Sequence, residues 1–181
     1  DKQMSEKYYL KSKKLISDLQ REPLYQRQEF VKKVINYSEE IDEVSAKFPS
    51  NLGEGLIFII GMPRSGTTLT ESIIATSENC IAGGEKVFFD LNCRPMIKQH
   101  EAKTTDKKYF YEALFKLGTR YLETIDIQRQ GKKFYVDKMP GNFLWYKFIS
   151  ANLPFAKFIN IHRDPWDLSL IHISEPTRHC L

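Results

Sequence analysis

The most informative segment of the chain reads Leu56-Ile57-Phe58-Ile59-Ile60-Gly61-Met62-Pro63-Arg64-Ser65-Gly66-Thr67-Thr68. Its first five residues are a continuous β-branched and aromatic run, which is typical of a strand covered on both faces in a parallel sheet. After the loop at residues 61–66, Leu69, Ile73 and Ile74 give a short helix one apolar face, ending near residues 77–79. The segment therefore predicts a strand, a glycine-containing loop and a helix in direct succession.

The loop has the composition of a phosphate-binding turn. We expect backbone N–H groups of Ser65, Gly66, Thr67 and Thr68 to point at one anion, assisted by the partial positive charge of the helix N-terminus. The spacing matches G-x-x-x-x-G-K-[ST], except that Thr67 occupies the lysine position and a different cation, Arg64, lies inside the loop. The alternative is a tight turn capped by Ser65 or Thr67. A turn alone has no need for an arginine at its centre.

The remaining hydrophobic pattern predicts an α/β fold with a parallel sheet. Residues 4–48 are predicted to be helical, with an interruption at Glu22-Pro23, and residues 108–128 are predicted to form one amphipathic helix. The buried stripe of that second helix would be Phe110, Leu114, Leu117, Tyr121 and Ile125. Further strands are predicted at residues 134–136 and 155–162, with a helix at 143–152 between them. This alternation of strands and helices indicates β-α-β units.

Composition and charge exclude several classes of protein. The chain has 181 residues, 41% of them hydrophobic, which suits one ordinary domain with a core. The formal net charge is +4 and no run of five basic residues occurs, so we expect no nucleic-acid partner. The strongly apolar run at residues 56–60 is far shorter than the roughly 20 residues of a membrane-spanning helix, so no span is expected. Cys80, Cys93 and Cys180 show no C-x-x-C spacing, which favours reduced thiols.

Asp137 raises the question of a metal ion. In a nucleotide triphosphatase the loop lysine and Mg²⁺ neutralise the phosphates, and an aspartate after a hydrophobic strand contacts the metal. Asp137 follows such a strand, but Lys138 would place a cation beside the metal, and the loop lacks its lysine. The residues therefore favour phosphate binding without a metal.

Three blocks of the sequence resemble the sulfotransferases that use 3′-phosphoadenosine 5′-phosphosulfate. Residues 58–69 look like the family's 5′-phosphosulfate loop. The block Val136-Asp137-Lys138-Met139-Pro140-Gly141-Asn142-Phe143 resembles the bacterial branch with tetratricopeptide repeats, which is similar to tyrosylprotein sulfotransferases. Residues 153–165, with Ile161-His162-Arg163-Asp164-Pro165, look like the strand that delivers the 3′-phosphate arginine. The resemblance covers about residues 56–167 and implies a P-loop-containing nucleoside triphosphate hydrolase-like fold of the sulfotransferase type.

The chemistry and the resemblance together name three candidate catalytic residues. Arg64 would hold the 5′-phosphate and the bridging oxygen, because its planar fork suits two oxygens at once. Glu85, in Ala82-Gly83-Gly84-Glu85, is the expected general base, and its position matches the catalytic glutamate of the tyrosylprotein branch. Lys138 matches the lysine that faces the sulfonate in those enzymes. The alternatives are a solvated loop glutamate and an exposed strand-end lysine, and His162, the rival base, is expected to be a structural histidine in a buried strand.

The donor site is expected to combine the loop residues with one distant arginine. The set comprises Arg64, Ser65, Gly66, Thr67, Thr68 and Arg163. By resemblance Arg163 would bind the 3′-phosphate at the end of its strand; pairing with Asp164 or Asp167 is the alternative. Family members carry a serine eight positions after this arginine, where this chain has Ile171, with Ser169 nearby.

The end of the sequence departs from the family. Residues 168–178 read Leu-Ser-Leu-Ile-His-Ile-Ser-Glu-Pro-Thr-Arg, which resembles the translation of a DNA-sequencing adapter. We therefore expect a helical preface at 1–50, following lost tetratricopeptide repeats, a C-terminally truncated sulfotransferase domain at 51–167 and a non-native tail at 168–181. On this view the truncated chain binds the donor poorly.

The function implied is transfer of sulfonate from 3′-phosphoadenosine 5′-phosphosulfate to a hydroxyl of a peptide tyrosine or a sugar. No metal is required. The alternatives are a P-loop kinase or nucleotidase, which would need magnesium, and a non-catalytic helical interaction module. The bacterial resemblance implies the cytoplasm, and an animal relative would lie in the Golgi lumen.

Overall fold

The computed structural model describes residues 24–45, 50–103, 106–164 and 166. The chain divides into two compact units, residues 1–37 and 38–181. Helix α1 (Leu24–Ser45) begins in the first unit and ends in the second. It begins directly after Pro23, where the sequence predicts an interruption. The other predicted helical residues, 4–23 and 46–48, lie outside the described part of the chain, as do the tail from residue 167 and Cys180.

The second unit contains a parallel sheet flanked by helices, which confirms the predicted α/β class. Its strands are β1 (Leu56–Gly61), β2 (Cys80–Ala82), β3 (Phe134–Lys138) and β4 (Lys157–Ile161). They lie in the order β2-β3-β1-β4, and every neighbouring pair is parallel. The helices are α2 (Thr67–Ile74), α3 (Phe88–Glu101), α4 (Lys107–Phe115), α5 (Leu117–Arg129), a 3₁₀ helix (Pro140–Trp145) and α6 (Tyr146–Asn152).

Several predicted boundaries are wrong. The single helix expected at 108–128 is two helices, α4 and α5, although all five residues of its predicted stripe are buried. The helix expected at 143–152 is preceded and overlapped by the 3₁₀ helix Pro140–Trp145, and only α6 (Tyr146–Asn152) is α-helical. Neither β2 nor α3 was predicted. Strand β4 is shorter than expected and is half exposed rather than covered on both faces.

The core lies against β1, which has neighbours on both sides in the sheet. Phe58 is fully buried, and its ring centroid lies 5.3 to 6.1 Å from those of Phe89, Tyr121 and Phe158. These contacts come from α3, α5 and β4 respectively. Burying aromatic rings stabilises the fold by about 2–3 kcal/mol each, so β1 is fixed from several directions. Cys80 and Cys93 are buried free thiols, as the reduced-thiol interpretation expects.

The strand register brings the candidate residues to one edge of the sheet. Lys138 pairs with Ile59, and Gly61 pairs with Ile161, so β1, β3 and β4 end close together. Ala82, at the end of β2, pairs with Val136. Open α/β sheets bind their ligands outside the carboxyl ends of the strands. Each candidate site residue lies at one of these ends or in the segment that follows it.

Candidate active site

The loop between β1 and α2 curls through two residues with left-handed backbone conformation. Arg64 has φ 69° and Gly66 has φ 107°. A positive φ is unfavourable for arginine, and such conformations cluster at functional sites. Gly66 is the N-cap of α2 and supplies no side-chain cap, so the first turn of the helix is not capped by Ser65 or Thr67. A Cβ built on Gly66 would meet no atom within 4 Å, which leaves room for an anion beside the turn.

The prediction that the Ser65 N–H points at the anion is wrong. That N–H donates to the Met62 carbonyl oxygen at 3.2 Å and closes the turn. The Ser65 side chain is buried, and its Oγ has no hydrogen-bond partner among the described residues. A buried hydroxyl without a partner costs free energy and is unusual. The Ser65 Oγ atom is itself buried, so the amides of Gly66, Thr67 and Thr68 stay the predicted backbone donors of the loop.

Gly61 allows the loop to leave β1 close to β4. Its φ is 152°, and an added Cβ would lie 2.6 Å from the Ile161 carbonyl oxygen and 3.1 Å from Ser65 Oγ. Any larger residue would push the loop away from the strand edge.

Glu85 and Lys138 form an ion pair at the carboxyl edge. Lys138 Nζ lies 2.6 Å from Glu85 Oε1, and the side chains are 8% and 57% exposed. Lys138 is therefore a buried cation and not an exposed strand-end lysine. Glu85 is half exposed, as a base that must reach an incoming substrate requires. The structure brings together two residues that lie 53 positions apart in the sequence.

Three hydrogen bonds, two to the backbone of β3 and one to a side chain, fix the segment that carries Glu85. The Gly83 N–H donates to the Val136 carbonyl oxygen at 2.7 Å, and the Lys138 N–H donates to the Gly84 carbonyl oxygen at 3.0 Å. The Gly84 N–H donates to Glu71 Oε1 at 2.9 Å. A Cβ on Gly83 would overlap the Tyr135 ring, so only glycine permits this close approach to β3.

Asp137 lies in the core and not at the ligand edge. It is 1% exposed, and Oδ2 accepts a hydrogen bond from the Tyr121 hydroxyl at 2.6 Å. Burial raises the pKa of this carboxyl from 3.8 to about 7, although the hydrogen bond from Tyr121 opposes the shift. The carboxylate that a magnesium-dependent phosphotransferase would use is thus enclosed by protein. Within the described ranges no group of three His, Cys, Asp or Glu residues could hold a metal ion.

Arg163 and His162 follow β4 on the exposed side of the site. Arg163 Nη1 donates to the Arg64 carbonyl oxygen at 3.4 Å, which places the distant arginine beside the loop. His162 is exposed and lies 2.8 Å from the Asn160 amide nitrogen, so it is not the buried structural histidine that was expected. Asp164 Oδ1 accepts from the Trp166 N–H at 2.8 Å, while Asp167 lies outside the described residues.

The sequence interpretation missed two buried polar residues beside this edge. Glu71, in α2, is 8% exposed. Asn142 is 1% exposed, and neither polar atom of its side chain has a partner among the described residues. The signal for Glu71 was its spacing, one helical turn after Thr67 and therefore on the same face of α2. No pattern in the sequence indicated burial of Asn142.

Comparison with known proteins identifies the family. Residues 57–175 match the sequence model of the group described as "Sulfotransferase family". This chain belongs to the sulfotransferase family. The match begins in β1, contains every candidate site residue, and includes residues 168–175 of the tail that resembles an adapter.

A relative of this sulfotransferase-family chain is a protein of Aquifex aeolicus (strain VF5) described as "Uncharacterized protein". The two are 32% identical over 124 residues, which is 63% of this chain and 16% of the relative. This chain therefore spans less than a fifth of that protein's length. Among the helices of the described residues, none combines the length and the apolar character that crossing a bilayer would require.

Proposed function

We propose that this member of the sulfotransferase family transfers a sulfonate group from 3′-phosphoadenosine 5′-phosphosulfate to a hydroxyl of a peptide tyrosine or a sugar. One observation carries the proposal: a buried lysine and a half-exposed glutamate, Lys138 and Glu85, are paired 2.6 Å apart at the edge of the sheet where the phosphate loop begins. An acid–base pair beside an anion cradle is what in-line transfer between oxygen atoms requires.

Each candidate site residue has a separate role in the proposed reaction. The acceptor oxygen attacks sulfur, the bond from sulfur to the bridging phosphate oxygen breaks, and the acceptor proton passes to Glu85. Negative charge then builds on the departing phosphate, where the Arg64 guanidinium and the loop amides stabilise it. Lys138 would hold the transferring sulfonate, and Arg163 the 3′-phosphate. Metal-free positioning and electrostatics supply the acceleration in this scheme.

The buried position of Asp137 favours sulfonate transfer over phosphate transfer from ATP. Phosphoryl transfer depends on a metal ion bridging the phosphates and on a carboxylate that binds the ion. Asp137 is 1% exposed and hydrogen-bonded to Tyr121, so it cannot serve without rearrangement of the core.

The test measures transfer of ³⁵S-labelled sulfonate from the nucleotide donor to a tyrosine-containing peptide and to an oligosaccharide. Arg64→Ala and Glu85→Gln should each lower the rate about a hundredfold or more, because each removes one part of the charge stabilisation or proton transfer. Arg120→Ala and Glu123→Gln, at exposed positions of α5, are the matched controls and should leave it unchanged. Magnesium-dependent phosphate transfer from ATP, without sulfonate transfer, would contradict the proposal.

A further inference from the structure

One buried carboxylate, that of Glu71, has no part in the proposed chemistry. Glu71 lies in α2 and is 8% exposed, and its Oε1 accepts the hydrogen bond from the Gly84 N–H at 2.9 Å. Burial of a carboxylate is costly unless hydrogen bonds compensate for the lost water. A charge-assisted bond to a backbone amide is among the stronger ones available. The free-energy cost of burying Glu71 indicates that its hydrogen bond with Gly84 has a specific role.

Glu71 joins two parts of the site that are far apart in the sequence. Its helix begins at Thr67, in the phosphate loop, and Glu71 follows one turn later. Its partner Gly84 directly precedes Glu85, the proposed base. Gly84 has φ 69°, and its peptide groups are held from both sides, the N–H by Glu71 and the carbonyl oxygen by the Lys138 N–H at 3.0 Å.

We propose that Glu71 is a positioning residue that fixes Glu85 relative to the phosphate loop. The inference rests on the proposed function, since it assigns Glu71 to the reaction at that same site. Glu71 acts through the Gly84 amide and touches neither donor nor acceptor. Without its hydrogen bond, the left-handed turn at Gly84 keeps only the contacts to β3, and Glu85 loses its fixed distance from the loop. Misplacement of a catalytic group by about 1 Å can cost on the order of a hundredfold in rate.

The test compares Glu71→Ala with Glu71→Gln, which keeps an oxygen that can accept from Gly84. Hydrogen exchange of the Gly84 amide should be much faster in Glu71→Ala and near the wild-type rate in Glu71→Gln. In the sulfonate-transfer assay, kcat should fall about ten- to a hundredfold in Glu71→Ala with an unchanged donor dissociation constant, and Glu71→Gln should recover most of it. Glu123→Ala, at an exposed position of α5, is the control and should change neither measurement.

A purely structural role predicts a different result, namely loss of thermal stability and donor affinity together, without rescue by glutamine. Glu71→Asp, which retains the charge but shortens the side chain, gives a second measurement if Glu71→Ala fails to fold; it should also speed exchange at Gly84. Unchanged exchange at Gly84 in these variants would overturn the positioning role. Failure of the proposed function is distinguishable, because the unsubstituted chain would then protect the Gly84 amide and yet transfer no sulfonate.

Discussion

At the carboxyl edge of the sheet, the residues that follow β3 and those that follow β4 are held in different ways. On the β3 side Lys138 is almost fully buried, paired with Glu85, and tied through its own N–H to Gly84. On the β4 side Arg163 is exposed, and its contact with the Arg64 carbonyl oxygen is long, at 3.4 Å. Both sides carry a cation beside the phosphate loop, but only the cation on the β3 side, Lys138, is buried.

The difference follows from the position of each strand. Strand β3 lies between β2 and β1, so its end is enclosed by protein on both sides, whereas β4 has one neighbour in the described sheet and is half exposed. A buried cation interacts strongly with nearby charge and needs no reorganisation when charge develops. An exposed cation is screened by salt and is weaker. We therefore expect the β3 side to determine rate and the β4 side to tune donor affinity.

The largest effect should come from Lys138→Met, which replaces the buried cation by an uncharged side chain of similar size. Sulfonate transfer should fall about a thousandfold, because a preorganised charge at the reacting group is lost. Donor affinity should fall much less. Lys116→Met, at an exposed position between α4 and α5, is the control for loss of one lysine. Wild-type transfer by Lys138→Met would mean that burial on the β3 side has no catalytic purpose.

Asp137→Asn tests burial on the β3 side through the pH dependence of the free energy of unfolding. Burial raises the pKa of Asp137 to about 7 from 3.8, so between these values the folded chain binds a proton that the unfolded chain has released. The free energy of unfolding should therefore fall as pH rises, by about 2 kcal/mol between pH 5 and 7. Asp137→Asn should remove this fall, and Asp126→Asn, at an exposed position of α5, should keep it. Urea unfolding across that range measures both; a fall that persists in Asp137→Asn would show that another group carries it.

The sequence predicted the centre of the fold better than its edges. Strand β1 is a continuous apolar run, and its pattern alone indicated burial on both faces. Strand β2 has three residues and α3 contains Pro95, so neither gave a regular signal, although Phe89, Cys93 and Ile97 recur at four-residue steps and are all buried. The two helices α4 and α5 are separated at Lys116, but their buried residues keep one helical spacing across the break. Hydrophobic periodicity therefore could not detect it.

Site residues that belong to a recognisable sequence motif could be predicted. Residues whose role depends on their burial in the folded chain could not. Arg64 lies in a recognisable loop, but the pairing of Glu85 with Lys138 depends on a register between segments 53 positions apart. The role of Asp137 depended on side-chain direction: it faces Tyr121 in the core. Burial of Glu71 could not be expected from its residue type, because charged residues are usually exposed.

The smallest of these effects should come from Arg163→Ala, on the exposed side. Donor affinity should fall about tenfold, or about 1.4 kcal/mol, with little change in melting temperature, because Arg163 is exposed and exposed charges contribute little to stability. Raising the ionic strength should reduce this difference more than it reduces the effect of Lys138→Met, since an exposed charge is screened more completely. Arg120→Ala controls for loss of one exposed arginine. A melting temperature that drops by several degrees in Arg163→Ala would show that the β4 side is also fixed by its contacts, and the division between a rate-determining side and an affinity-tuning side would then fail.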